Sequence, residues 1–258
     1  MAHPLRKLRH PTPKLITRPL TTLHPQAAAT ITLNSPASLT VLHSLSPSLT
    51  SPLSPLATAE LLREIALKCI SFNGIPRTIN TLSAFKSSLA HHPWSTSLTT
   101  TPTRTPTPSN IDAITTRGRN LWQSIYTPLD EKLEQKLADS HPDLPVHILN
   151  SHYGPLLADP PEGPQLVGRC LTSVVAVACL RAQTGVGPQV LSHVFGLRKG
   201  VEQGAHVAEE DGEGLERLAG DEGCEWLLRS VDAIAEAIGG NVGRWDGEGE
   251  GERLKGKL

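Results

Sequence analysis

Aromatic residues are scarce in this chain: Phe, Trp and Tyr together make up 3% of its 258 residues, and methionine occurs once. A core assembled with few large rings has to rely on Leu, Val, Ile and Ala within a hydrophobic fraction of 38%, which favours helix packed on helix. Acid is missing from the amino-terminal part, where no Asp or Glu precedes Glu60, whereas the residues beyond 200 are rich in Glu, Asp and Gly. The two imbalances cancel to a net charge of -1, which removes the electrostatic case for a nucleic-acid partner. No apolar run reaches the roughly 18 to 20 residues of a membrane-crossing helix; the best candidate, residues 171–180, reads as a core helix. The four cysteines, Cys69, Cys170, Cys179 and Cys224, have no CxxC spacing and read as buried free thiols in a reducing compartment. His91 and His92 stand side by side in a polar loop with no third ligand in view, so no metal and no cofactor is expected.

What is present divides the chain into three parts. Residues 1–56 are basic and rich in Ser, Thr and Pro. Arg6, Lys7, Arg9, Lys14 and Arg18 with no acid among them suit a mitochondrial targeting segment, while Pro4, Pro11, Pro13 and Pro19 suit a disordered tail instead. Residues 57–240 carry helical patterning, with loops expected near 91–110 and 201–220. Residues 241–258 read as a disordered tail. The final Gly-Lys-Leu departs from the peroxisomal Ser-Lys-Leu address at its first position and is discounted. Mitochondrial residence is therefore expected, with the cytoplasm as the alternative.

Within the middle part, Thr58 is positioned to cap a helix whose Leu62, Ile65, Ala66, Cys69 and Ile70 share one face. Asn73-Gly74 supplies the stop and Pro76 the first turn of a second helix, lined by Ile79, Leu82, Phe85 and Leu89. Leu121, Trp122 and Ile125 mark another helix, Leu129, Leu133 and Leu137 a third, and Val146, Leu149, Tyr153 and Leu156 a fourth. His147 and His152 are five apart, a spacing that puts them on different faces of an α-helix and assigns them solvent-facing or capping roles. Residues 166–182 are apolar all round and predict the central buried helix. Gly185 and Gly187 end it, Pro188 opens the next, Val190, Leu191, Val194 and Phe195 pack back, and Gly200 closes it. Asp221 is placed to cap a last helix striped by Leu227, Val231, Ile234 and Ile238. The chain is thus expected to be all-α, a bundle of helical hairpins.

Two stretches carry a family likeness. "EIALKCISFNGIPRTINTLSAF" resembles the helical hairpin of carboxymuconolactone decarboxylase-like proteins, a helix ending in a Gly-x-Pro turn before an Asn-containing helix. "VAVACLRAQTGVGPQVLSHVFGLRKG" resembles the region around that family's histidine. Together they liken residues 58–90 and 115–200 to degenerate fungal-type members of the alkylhydroperoxidase D-like superfamily. The resemblance implies an all-helical domain that forms homo-oligomers. It also implies that a redox member would carry a Glu upstream of CxxCxxxH. With His193 on the motif histidine, Val186 and Gln189 occupy the two cysteine positions, and the Glu position falls near residues 172–174, where there is no carboxylate. Only a thiolate reduces peroxide by this route.

Three functions follow in order. The first is a helical binding or assembly protein, without the redox dithiol, for an unknown ligand. The second is a non-redox enzyme acting on a small carboxylate by decarboxylase or lactone-type chemistry, with His193 as acid or base and Arg169 or Arg181 as the substrate anchor. The third, a peroxide reductase, requires Cys69, Cys170 or Cys179 to converge, which their spacing gives no reason to expect.

Overall fold

The structure is a computed structural model, which describes residues 19–49, 53–161, 165–209 and 211–239. Among the described residues every regular element is helical and there is no strand, so the all-α expectation holds. The basic residues Arg6 to Arg18 and the tail from 241 onward lie outside the described residues.

The central element is α9 (Arg169–Gln183), buried continuously from Cys170 to Leu180 as its all-round apolar sequence predicts. It starts at Arg169 rather than near 166. Gly185 (φ +73) and Thr184 (φ +62) turn the chain, and α10 (Gly187–Glu202) returns antiparallel against it, with Pro188 in its first turn. Gly200 does not close α10, as the sequence suggests, but lies inside it. A Cβ there would stand 2.6 Å from the Cys170 sulfur and from a terminal nitrogen of Arg169, so the missing side chain is what lets the two helices meet at that level.

The other side of α9 is covered by α1 (Pro19–Thr32), which lies within the residues 1–56 read from sequence as a targeting segment or a disordered tail. Ala27, Ala28, Ala29 and Ile31 of α1 are fully buried, and Leu39 of α2 (Pro36–Leu45) joins them. The helix α3 (Pro55–Lys68) is capped by Ser54, whose hydroxyl accepts from Ala57 N at 3.2 Å; Thr58, the expected cap, is buried in the first turn. A short helix, α4 (Ile70–Asn73), and Gly74 (φ +79) then lead into α5 (Ile75–Leu89), where Phe85 and Leu89 are buried but Ile79 is exposed, Thr78 and Thr81 taking the inner face.

The middle of the chain forms a second, smaller core. It is built by α6 (Ile111–Tyr126), α7 (Asp130–Ser140), α8 (Asp143–His147) and a π-helix over Ile148–Leu157. Trp122, Ile125, Leu149, Tyr153 and Leu157 are its buried residues. Because a π-helix closes i to i+5 hydrogen bonds, its turn is wider than the α-helical one assumed from sequence. Leu157 is therefore buried where Leu156 was expected, and the rings of His147 and His152 meet edge to face at 5.3 Å, correcting their assignment to separate faces. Gly118 and Gly154 let α6 cross this helix backbone to backbone: a Cβ on either would fall 2.6 Å from the backbone of the other helix.

The acidic connector after α10 is also folded rather than loose. It contains α11 (Gly212–Ala219) and leads to α12 (Asp221–Ile238), which Gly220 rather than Asp221 caps. Leu227 and Val231 of α12 are fully buried, and Gly239 (φ +74) ends the helix.

Candidate functional site

The hairpin of α9 and α10 sets the surroundings of His193. Near its middle, His193 packs edge to face on Phe72 of α4, with ring centroids 5.6 Å apart and planes at 88°. Its Nδ1 is buried without a hydrogen-bond partner, and burial drives the imidazole pKa down to about 4. A ring so placed is neutral near pH 7, and among the described residues no side chain is hydrogen-bonded to its Nδ1 to orient it as a general base is usually oriented.

The two candidate anchors lie elsewhere. Arg169 and Arg181 are twelve residues apart on α9, about 18 Å at 1.5 Å per residue. Arg169 is turned to the second core, donating through Nε to Ser124 Oγ at 3.0 Å and through a terminal nitrogen to Ser124 O at 2.5 Å; burial lowers its pKa. Arg181 forms a two-pronged pair with Asp232 of α12 at 2.7 Å on each prong, about half-exposed, and that hydrogen bond raises its pKa. The three expected site residues are thus not brought to a common cavity, and neither of the clefts described below is lined by His193.

Two of the cysteines do converge, against the expectation from their spacing. Cys69 and Cys179 are fully buried with their sulfurs 3.4 Å apart. Burial, and then the contact with Cys179, pushes the Cys69 thiol well above its ordinary range, while burial and the neighbouring Glu209 carry Cys170 up to about 12. These are conditions that hold the sulfur as a thiol.

Sequence reasoning missed three polar features. Lys68, with no exposed surface, directs its ammonium at Leu157 O (2.8 Å), Asp159 Oδ1 (2.7 Å), Val167 O (2.5 Å) and Thr172 Oγ1 (3.1 Å). Burial lowers its pKa against the opposing pull of Asp159. With four oxygens around three N–H donors, it ties α3, the end of the π-helix and the start of α9 together. Ser71 Oγ lies 3.0 Å from His152 Nδ1, and burial followed by the neighbouring His147 lowers the His152 pKa. No carboxylate bonds to that histidine among the described residues.

The third feature is a groove. Residues 98–110, expected to be a loop, form a strap pinned to the outer face of α3. Thr99 N donates to Glu60 Oε1 (2.5 Å), Arg63 donates to Thr99 O (3.0 Å), and Arg104 forks onto Glu64 (2.5 and 3.2 Å). Between its pins the strap bows away from α3, enclosing a cleft of about 620 Å³ over Leu67, Leu82 and Leu166. A second cleft of about 160 Å³ continues past Arg104 to Arg117 and Asn110. The sequence "TTRGRN" contains no pattern that would single out Arg117, because its setting depends on how the preceding strap folds back and on Pro155 to Pro161, some forty residues further on.

Among the described residues no group of three or more His, Cys, Asp or Glu could hold a metal ion, and no helix is long and apolar enough to cross a membrane. By architecture the protein is an all-helical bundle; no family model matches the chain, and no solved structure matches it. A stretch of 152 residues is 32% identical to Peroxisomal protein 2 of Saccharomyces cerevisiae, covering 52% of this chain and 52% of that protein. The chain therefore spans about half the length of this relative.

Proposed function

We propose that the protein is a non-redox helical binding and assembly protein of alkylhydroperoxidase D-like design. The observation that carries this reading is the state of His193, a neutral ring packed on Phe72 with its Nδ1 unpartnered and both candidate arginines engaged elsewhere. The Gly74 and Gly185 corners, each followed by a proline in the next helix, support the likeness to that hairpin design. Val186 and Gln189 at the cysteine positions argue against dithiol chemistry, and the one pair of thiols that does meet, Cys69 and Cys179 among the described residues, is fully buried with Cys69 held as a thiol.

Assembly is supported by the outer face of α10. Leu191 and Phe195, one turn apart, do not pack back as expected, because Val194 and Leu197 take the inner face; they are 54% and 59% exposed, and an apolar face of that kind is covered in a homo-oligomer. Light scattering on the purified chain tests this: the mass should be a multiple of 27.7 kDa, and Phe195→Glu should reduce it to one chain without lowering the melting temperature. A monomeric wild type overturns the assembly reading. Mitochondrial residence is proposed on the composition of residues 1–18, and the relative's name makes the peroxisome the competing address; imaging of the tagged protein beside markers of each organelle decides between them.

A further inference from the structure

The charges that line the groove beneath the strap are unevenly spent. In the larger cleft Glu60 is matched by Arg63 and Glu64 by Arg104, so its four charged side chains cancel in pairs. The remaining lining there carries no charge: Leu67, Leu82 and Leu166 with Pro102, Pro106 and Pro160 supply its apolar part, and the threonines of the strap supply the rest. Among the described residues that line the smaller cleft there is no Asp or Glu, while Arg117 makes no hydrogen bond or ion pair among the described residues and its Nε is buried. Arg104, whose terminal nitrogens are held by Glu64, also leaves its buried Nε without a partner. Thr103, Arg104, Thr105 and Pro160 line both clefts, so the one that holds the unpaired cation adjoins the one that holds the three leucines.

Arg117 is half-buried, and a buried Nε without an acceptor is unfavourable; a planar anion accepting two parallel N–H bonds is the best complement of a guanidinium. From this we infer that the groove binds a small amphipathic carboxylate. Its head sits on Arg117 in the 160 Å³ cleft and its apolar body on Leu67, Leu82 and Leu166 in the 620 Å³ cleft. The larger volume lies within the roughly 300–1,000 Å³ of small-molecule sites. A single unmatched cation suits a carboxylate monoanion better than a phosphate dianion, because Arg104 is already neutralised by Glu64. This site is separate from His193 and from the α10 face, so it can stand or fall independently of the assembly reading.

Titration calorimetry of the full chain with octanoate tests the inference, with octanol, octylamine and inorganic phosphate as parallel titrants. Octanoate should bind at one site per chain, and octanol and octylamine should bind at least tenfold more weakly. Arg117→Gln should weaken octanoate about tenfold to a hundredfold, the range set by losing a hydrogen bond to a charged group, while leaving octanol unchanged. Arg181→Gln, at a distant surface pair, should leave octanoate binding as it was. Equal binding of octanol and octanoate, tighter binding of phosphate, or full octanoate affinity in Arg117→Gln overturns the inference. Should Arg117→Gln not fold, carboxyl-labelled octanoate on the wild-type chain gives the same answer by NMR: its bound pKa must fall below the free value, and an unshifted pKa refutes the site.

Discussion

Acidification should reveal how tightly His193 is held. Its pKa is 6.5 ordinarily and about 4 in the folded protein, lowered by burial. Between those values the unfolded chain takes up a proton that the native ring refuses, so the stability contributed by the neutral ring is present above pH 6.5 and is lost progressively as the pH falls from 6.5 to 4. At ~1.4 kcal/mol for each pH unit, the difference is worth about 3 kcal/mol, a substantial part of the 5–15 kcal/mol that holds a domain together. Replacing His193 by Phe keeps a ring against Phe72 and removes the titration. Urea unfolding of both proteins at pH 7 and pH 4 measures the effect, and their difference isolates His193 from other groups with lowered pKa, such as His152. Wild type should lose about 3 kcal/mol more than His193→Phe across that interval. Parallel pH profiles, or a His193 ring resonance that titrates near 6.5 by NMR, would refute the reasoning and restore the ring as an ordinary acid or base.

Three further outcomes follow from the packing. Lys68→Ala leaves Asp159 and two buried carbonyls without their cation, and should cost about 3–5 kcal/mol in denaturant unfolding. Gly154→Ala places a methyl group 2.6 Å from Ile114 O, and should lower stability by about 1–3 kcal/mol through separation of α6 from the π-helix, seen as loss of the near-ultraviolet signal of Trp122 and Tyr153. Arg181→Ala breaks a half-exposed pair with Asp232 and should change stability by less than about 1 kcal/mol, an effect that salt should abolish.

The elements legible from sequence are those whose apolar pattern is strong and whose ends carry Gly or Pro, above all α9, α10 and α12. The helix α1 was not legible, because "PLTTLHPQAAATIT" contains an internal proline and few large apolar residues. It is buried through its small side chains, Ala27, Ala28 and Ala29, which let α9 approach closely, and hydrophobic patterning does not register small residues of that kind. The π-helix was misread for a geometric reason: a 3.6-residue period fits Leu149 and Tyr153 but chooses Leu156 over Leu157. As for the site, His193 and the two arginines were visible as residue types, and what the sequence could not supply was their separation. Arg117 was overlooked because an unpaired cation can be recognised only once every other charge near it has found its partner.

The connector that follows α10 holds more than its own length. Glu209 accepts from Cys170 N (2.7 Å) and Leu171 N (2.9 Å), closing the start of α9, with Gly168 leaving room for the carboxylate. Two residues later Asp211 accepts from Thr21 N (3.2 Å) and Thr21 Oγ1 (3.0 Å) in α1, and from Gly214 N (3.3 Å) in α11. One short acidic bend is therefore the buckle for three helix beginnings that are far apart in the chain. A polypeptide emerging from the ribosome cannot fasten α1 to this bend until some two hundred residues have been made, and trimming the chain past Thr21 would leave the buckle holding α9 and α11 alone.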